Sequence, residues 1–289
     1  MSYEYSENEL VQNSAIELLR DTLGWRTFYA YNDEVLGNDS SSKSLGRSSY
    51  KEILLTRYLK EAVFKFNDWV TDEIFEQIVK ILNTKVSSDS DIQNNEKNYQ
   101  YFKDGIEVDV KDENGNYIKR RANLFDFAHP EENNFLAVQE MKIWGEVYHR
   151  RADIVGFVNG IPLLFVELKR DDVDIQEAYE NNYKDYRTTI PQLFYYNAFI
   201  VFANGPEAKI GTLESKYKFF HEWKRLSEKD SGSVAFETLL LGVCNKKNFI
   251  DLFENFILFD HSNGRVVKIL ARNHQFLGVN QAFENYKAR

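Results

Sequence analysis

Cysteine is almost missing from this sequence: Cys244 is the single thiol among 289 residues. No internal disulfide framework can form, and that usage suits a reducing compartment. Long apolar runs are missing too. None approaches the roughly 18 consecutive residues that a bilayer crossing requires, so no membrane partner is expected. The opening Met1-Ser2-Tyr3-Glu4 has neither a basic region nor an apolar run, so the expectation is no secretory signal and a cytoplasmic protein. The five histidines, His129, His149, His221, His261 and His274, are scattered without a nucleophile beside them, which argues against histidine catalysis. No C-x-x-C or H-x-x-x-H zinc spacing occurs, and no G-x-x-x-x-G-K-[ST] phosphate loop. Positive charge is not in excess either. A net charge of −9 argues against a surface that grips nucleic acid all over, while leaving room for a local basic cleft. Lys119-Arg120-Arg121, His149-Arg150-Arg151 and Lys169-Arg170 are candidate pieces of one, with solvated charged faces as the alternative. With 43% hydrophobic and 15% aromatic residues, the chain can bury the core of one large domain or two small ones.

What is present centres on residues 151–169. Two apolar strands meet at Asn159-Gly160, a strong hairpin signal, and between Arg151 and Lys169 the only charges are Asp153 and Glu167. Both lie at the end far from the turn. Strand alternation puts Leu163, Phe165, Glu167 and Lys169 on one face. A strict two-residue turn would pair Asp153 with Val166 and set it opposite to Glu167. A pairing slid by one residue, with a three-residue turn or a bulge near Pro162, brings Asp153 directly across from Glu167. Pro162 has no N–H for a ladder, which favours the bulge. Carboxylates with Cβ atoms roughly 5 Å apart beside an apolar sheet call for neutralisation. Magnesium, bound through carboxylates, phosphate oxygens and water, would supply it.

Along the chain, residues 6–24 read as a first helix, with Leu10, Val11, Ala15, Leu18, Leu19 and Leu23 at helical spacing. Ser6-Glu7-Asn8-Glu9 is a capping-box pattern, so Glu9 reads as a cap. Residues 36–48 read as a flexible loop, 48–66 and 71–83 as helices, and Ser87–Lys97 as a second surface loop. A hairpin at a sheet edge is expected from Ile106–Val110, the turn Asn114-Gly115-Asn116, and Tyr117 onward. Leu124–Phe127 and Phe135–Gln139 read as strands beside the central hairpin. Asp126 is a possible third acidic residue at a metal, with a turn role favoured. A helix capped by Asp174 runs to about Arg187. Ala198–Phe202 reads as a buried central strand, Lys209–Thr212 as another, and Phe219–Lys224 as an aromatic core cluster. Helices follow at 235–242 and 247–256. Cys244, in an apolar setting, reads as core.

Asp153 followed by Glu167-Leu168-Lys169 resembles the D…(D/E)-x-K signature of the PD-(D/E)xK nucleases. The wording R-x-D-I-V-x-F-V-N-G-x-P-L-x-x-x-E-L-K is similar, more narrowly, to the nuclease domain of the R (motor) subunit of type I restriction enzymes. Gly46-Arg47-Ser48-Ser49 and the Leu54, Leu59 pattern resemble the same family. So does Val267–Ala282, which looks like the segment opening its first motor domain. The resemblance implies an α/β, restriction-endonuclease-like fold: a mixed central sheet flanked by helices, with extra N-terminal helices. It implies a nuclease domain over 1–260, and over 261–289 a linker and the start of a motor domain, as if this were an N-terminal fragment.

The implied function is Mg²⁺-dependent hydrolysis of DNA phosphodiesters, coupled to ATP-driven translocation in the intact subunit. Asp153, Glu167 and the Leu168 backbone carbonyl would hold Mg²⁺, and Lys169 would orient or activate the attacking water. An acidic residue from the first helix often joins such sites, and Glu9 stands where it is expected. A Q-x-x-x-Y motif on the helix beyond E-x-K would help hold DNA. The best-spaced match is Asn182 and Tyr186, with Asn for Gln, while counting from Ala178 selects Asn181 and Asp185 instead. Arg151 and Arg170 are further candidates for DNA contact. Gln275 holds the place of a glutamine that reads the adenine of ATP. The implied partners are double-stranded DNA and the modification and specificity subunits. Two other readings stand beside this one: another PD-(D/E)xK repair or junction nuclease, and a non-catalytic docking module whose carboxylates pair with Arg151 or Lys169 and bind no metal.

Overall fold

The central hairpin is built with both the tight turn and the bulge. A computed structural model describes residues 7–37, 44–85, 90–262 and 264–288, with backbone alone for Glu7, Asn8, Glu9 and Asn32. The chain begins with helix α1 (Glu7–Glu17), continued by a π-turn over Leu18–Thr22, then strand β1 (Arg26–Tyr29) and the short α2 (Ala30–Asp33). Helices α3 (Thr56–Phe66), α4 (Asp72–Asn83) and α5 (Asp91–Asp104) precede a ribbon of β2 (Ile106–Lys111) and β3 (Tyr117–Ala122). The core strands follow: β4 (Phe135–Trp144), β5 (His149–Val158) and β6 (Ile161–Leu168). After a helical turn over Ala178–Tyr183 and α6 (Lys184–Thr189) come β7 (Phe199–Ala203) and β8 (Ala208–Gly211). The chain then forms α7 (Phe236–Val243), α8 (Lys246–Asn255), β9 (Ile257–Asp260), β10 (Val267–Leu270) and α9 (Asn273–Lys287).

Six strands make one mixed sheet in the order β1-β4-β5-β6-β7-β8. β1 runs parallel to β4 and β6 parallel to β7, and the other neighbours are antiparallel. The middle strands are apolar on both faces because helices cover both. Every residue of β6 and β7 is buried, as in sheets sandwiched between helical layers. The expected mixed α/β, restriction-endonuclease-like architecture is therefore present.

At the turn, Asn159 and Gly160 both take positive φ, 52° and 78°, as a two-residue hairpin turn of the right twist requires. Asn159 is fully buried and its amide is fully used. Its Nδ2 donates to the Leu124 carbonyl and to Asn133 Oδ1, and its Oδ1 accepts from the Asn134 N–H. The Gly160 carbonyl accepts from the Leu55 N–H at 2.9 Å, which ties the hairpin tip to the start of α3. A second anchor is the ion pair between Arg47 and Glu34, both side chains at most 1% exposed, with the Arg47 guanidinium also donating to the Lys142 carbonyl of β4.

Several loop and strand expectations are corrected. Ser87–Lys97 is not a surface loop: residues 86–89 lie outside the described residues, and 91–104 form α5 behind a Ser90–Gln93 capping box. Its helical face was hidden because asparagines line it. Asn95 Nδ2 donates to the Phe194 and Asn197 carbonyls, and Asn98 Nδ2 to the Tyr195 carbonyl, so polar side chains share the buried face with Ile92, Tyr99 and Phe102. The β2–β3 hairpin is a separate two-stranded ribbon, not an edge of the main sheet. Leu124–Phe127 is irregular; Asp126 instead caps a turn by accepting from the His129 N–H. In the expected flexible loop, residues 38–43 are outside the described residues, whereas Ser44, Leu45 and Arg47 are buried. β10 pairs with β9, and Lys268 of β10 is buried, donating to Asn95 Oδ1 and the Asn197 carbonyl. Burial without a carboxylate partner pushes its ammonium down to about 7. Cys244 is buried in the core, as expected.

Two glycine substitutions separate steric from conformational cost. A Cβ on Gly160 would lie 2.4 Å from the Leu55 carbonyl oxygen, whereas one on Gly115, also at positive φ, meets nothing within 4 Å. Gly115→Ala should lose about 1 kcal/mol from backbone strain alone. Gly160→Ala should lose about 3 kcal/mol or more, because rigid backbone must also shift. Urea unfolding of both variants checks this; equal losses would contradict it.

Candidate active site

The register decides which side chains meet. β5 and β6 pair Ile154 with Val166, Val155 with Phe165 and Gly156 with Leu164, then shift so that Phe157 faces Pro162 and Val158 faces Ile161. Leu163 is the extra residue of the bulge, and its carbonyl accepts from the Ala198 N–H of the next segment instead. Continuing the far register by one residue sets Asp153 across from Glu167, the arrangement that required the slipped pairing.

The two carboxylates differ in satisfaction. Asp153 Oδ2 accepts from the Leu168 N–H at 2.7 Å, which joins the two strand ends through a side chain. Glu167 is 2% exposed, and its Oε2 is buried without a hydrogen-bond partner. Burial pushes the Asp153 carboxyl up to about 6, against the Leu168 hydrogen bond that favours the anion. Burial, followed by the nearby Asp153 charge, raises Glu167 well above the ordinary carboxylate range. In an extended strand the N–H and C=O of one residue point to the same side, so the Leu168 carbonyl projects toward β5 with its N–H.

Lys169 Nζ donates to Asn182 Oδ1 at 2.6 Å. Of the two alignments of the helix motif, this geometry brings Asn182 to the site; Asn181 is exposed, and Asp185 pairs with Arg150. Tyr186 is buried, and its hydroxyl donates to the Arg151 carbonyl at 3.0 Å, so it fixes β5 from behind. Arg170 is exposed and pairs with Asp172 at 3.1 Å. Gln275 is away from this cluster, at the start of α9, where its Oε1 accepts from the Arg272 N–H. The basic segments are engaged locally. Lys119 pairs with Glu107, and the Arg120 guanidinium lies 4.2 Å over the Trp69 ring.

Two neighbours escaped the sequence reading. Glu140 on β4 sits opposite Asp153 in the β4–β5 register, at φ 56°, a left-handed conformation unusual for a residue within a strand. Its Oε2 lies 2.5 Å from Arg151 Nε. Gln12 of α1 donates through Nε2 to the Asp153 carbonyl at 2.8 Å and to Glu140 Oε1 at 3.1 Å. One face of α1 therefore covers the site. Glu9 belongs to that face one turn earlier, but its side chain lies outside the described residues. The helical spacing of Gln12 from Glu9 was the available signal; Glu140 offered none, because its backbone conformation is not written in residue type.

Among the described residues no three His, Cys, Asp or Glu side chains converge as a ready-made metal cage. The donor set that does converge is two carboxylates and a backbone carbonyl. It fits a hard cation that completes its shell with water and phosphate oxygens, and the partnerless Glu167 Oε2 is the atom that calls for one.

Residues 4–219 match a family described as the type I restriction enzyme R protein N terminus. The chain is 29% identical to the type I restriction enzyme HindI endonuclease subunit of Haemophilus influenzae, over 97% of this chain and 26% of that protein. It is 27% identical to a putative type I restriction enzyme endonuclease subunit, MjaIXP, of Methanocaldococcus jannaschii, over 96% of this chain and 28% of that protein. The chain thus spans about a quarter of the length of these relatives.

The raised carboxyls set a pH dependence. Asp153 and Glu167 bind protons more tightly folded than unfolded. The stability they contribute is complete below about pH 4 and is lost as pH rises through about 6 and beyond. In chelator-treated buffer, Glu167→Gln should therefore raise the urea midpoint near neutral pH and flatten its fall between acid and neutral conditions. A variant with the wild-type pH slope would contradict the assignment.

Proposed function

We propose that this chain, which belongs to the type I restriction enzyme R protein N-terminus family, is a DNA endonuclease domain with its reaction centre at Asp153, Glu167 and Lys169. The observation that carries this reading is the buried, partnerless Glu167 Oε2 beside Asp153, with a lysine held two residues away. Burying carboxylates costs stability, and a fold keeps that cost where a ligand repays it.

Bound there, Mg²⁺ would lower the pKa of a water and neutralise charge on the scissile phosphate. Asp153 and Glu167 would hold the ion, and the Leu168 carbonyl would add a neutral oxygen. Because both carboxyls favour a neutralised state, a cation replaces protons they would otherwise take up. Asn182 holds the Lys169 ammonium in place, so Lys169 can donate to the attacking water or to a non-bridging phosphate oxygen without searching rotamers. Tyr186 and Gln12 each bind a backbone carbonyl of β5, at Arg151 and Asp153, and keep the strand from shifting under load. In the hydrolysis itself the water oxygen bonds to phosphorus and gives up a proton to solvent, the bond to the leaving sugar oxygen breaks, and that oxygen takes a proton from solvent.

The wider setting is part of the same proposal. Double-stranded DNA would be the substrate, and modification and specificity subunits the partners. Cleavage would be coupled to ATP-driven translocation by downstream motor domains, with Gln275 at the motor entry reading adenine. Arg151, Arg170 and Asn182 would meet the DNA backbone.

Lys169→Ala in the intact subunit, assembled with its partners, tests the reading. DNA cleavage should fall by a hundredfold or more, equivalent to about 3 kcal/mol of barrier, while ATP hydrolysis persists. Cleavage at the wild-type rate would overturn the assignment, and loss of both activities would make Lys169 a residue of fold or interface.

A further inference from the structure

Glu140 does not belong to the pattern that suggested the nuclease site, yet it lies against it, paired with Arg151, the first residue of that pattern. The Glu140 side chain is 13% exposed and the Arg151 side chain 50% exposed, so this ion pair has a half-buried acid and an accessible base. Arg151 faces Lys142 across the β4–β5 ladder, and both cations lie over the ring of Tyr31, at 4.8 Å and 4.7 Å. Tyr31 is itself 42% exposed. Two cations on one exposed ring form a local positive patch, a surface suited to a phosphate group. Behind the patch, Glu140 is held at a left-handed φ directly opposite Asp153, and its negative charge helps raise both Asp153 and Glu167. Non-glycine residues in that region persist only where the surroundings enforce them, and they cluster at functional sites.

Resting on the nuclease reading above, the geometry points to Arg151 as a phosphate-operated latch on Glu140. In the free protein Arg151 and Gln12 occupy both Glu140 oxygens. A DNA phosphate at the Lys142–Arg151 patch competes for the guanidinium. Once Arg151 turns to the phosphate, Glu140 Oε2 is released near Asp153, to whose carbonyl Gln12 already bridges Glu140, and a third carboxylate becomes available to the divalent cation. The site thus holds its metal tightly only when DNA is present, which limits metal-dependent hydrolysis to the bound substrate. Glu140 is here a cation ligand in waiting and Arg151 a positioning residue.

The test is Mn²⁺ binding by the whole chain without DNA, followed by the electron paramagnetic resonance signal of the free ion. Arg151→Ala should bind Mn²⁺ about fivefold or more tighter than wild type, a typical coupling between two sites. Arg151→Met, which keeps the stem over Tyr31, should do the same and guards against a folding artefact. Adding Glu140→Gln to either should abolish the gain, and Glu140→Gln alone should change little, since that carboxylate is already engaged. Reciprocally, Ca²⁺ should strengthen binding of a short duplex to the wild type more than to Arg151→Ala, whose latch is already open. Unchanged or weaker Mn²⁺ binding in both Arg151 variants would overturn the latch. Asp153→Asn separates the two levels. If it removes Mn²⁺ binding while the Arg151 variants show no gain, only the latch falls; if Mn²⁺ binding survives it, the nuclease site falls and the latch with it.

Discussion

The structure depends on one register. A hairpin whose turn is fixed by Asn159 and Gly160 must bring Asp153 and Glu167 together at its far end, and it does so by spending one residue, Leu163, in a bulge. Without the bulge the carboxylates would occupy opposite faces of the sheet, because side chains alternate with period two. Everything around the hairpin holds that register. Asn159 locks the turn from within, Leu55 ties its tip to α3, and the Ala198 N–H uses the carbonyl that the bulge frees. At the open end, the Leu168 N–H closes on Asp153 and Tyr186 holds the Arg151 carbonyl.

Several buried polar groups that hold the fold are well paired: Arg47 with Glu34, Asn95 and Asn98 of α5 with carbonyls of residues 194–197, and Asn159 with three partners. At the candidate active site the same chemistry is left unfinished. Glu167 Oε2 has no partner, both central carboxyls are raised, and Glu140 sits in an uncommon backbone conformation. A folded chain tolerates such local conflict only where something besides stability is served. The conflict is also well supported, since β6 and the neighbouring β7 are wholly buried.

What the sequence disclosed follows the range of the signal. The turn at Asn159-Gly160, the bulge near Pro162 and the approach of Asp153 to Glu167 were legible because two short runs and a dipeptide encode them. The parallel strand β7 was legible from an uninterrupted apolar run. Helix α5 was not, because its buried positions include Asn94, Asn95 and Asn98, and the partners of Asn95 and Asn98 are carbonyls about a hundred residues away. Nor were Glu140 and Gln12: the first depends on a left-handed φ that glutamate does not announce, the second on how α1 lands across the sheet. The pairing of the candidate site's two carboxylates was therefore readable and the side chains around them were not. Long-range packing, rather than local pattern, selects the latter.

The central claim is that the orphaned glutamate oxygen exists to meet a cation. Crystals of the chain soaked in Mn²⁺ and recorded at an anomalous wavelength test it directly. The account predicts an anomalous peak between Asp153 and Glu167, within about 2.3 Å of Glu167 Oε2 and near the Leu168 carbonyl, as hard cations bind oxygen. A fully occupied Mn²⁺ elsewhere, or no peak at Glu167 at saturating ion, would contradict it.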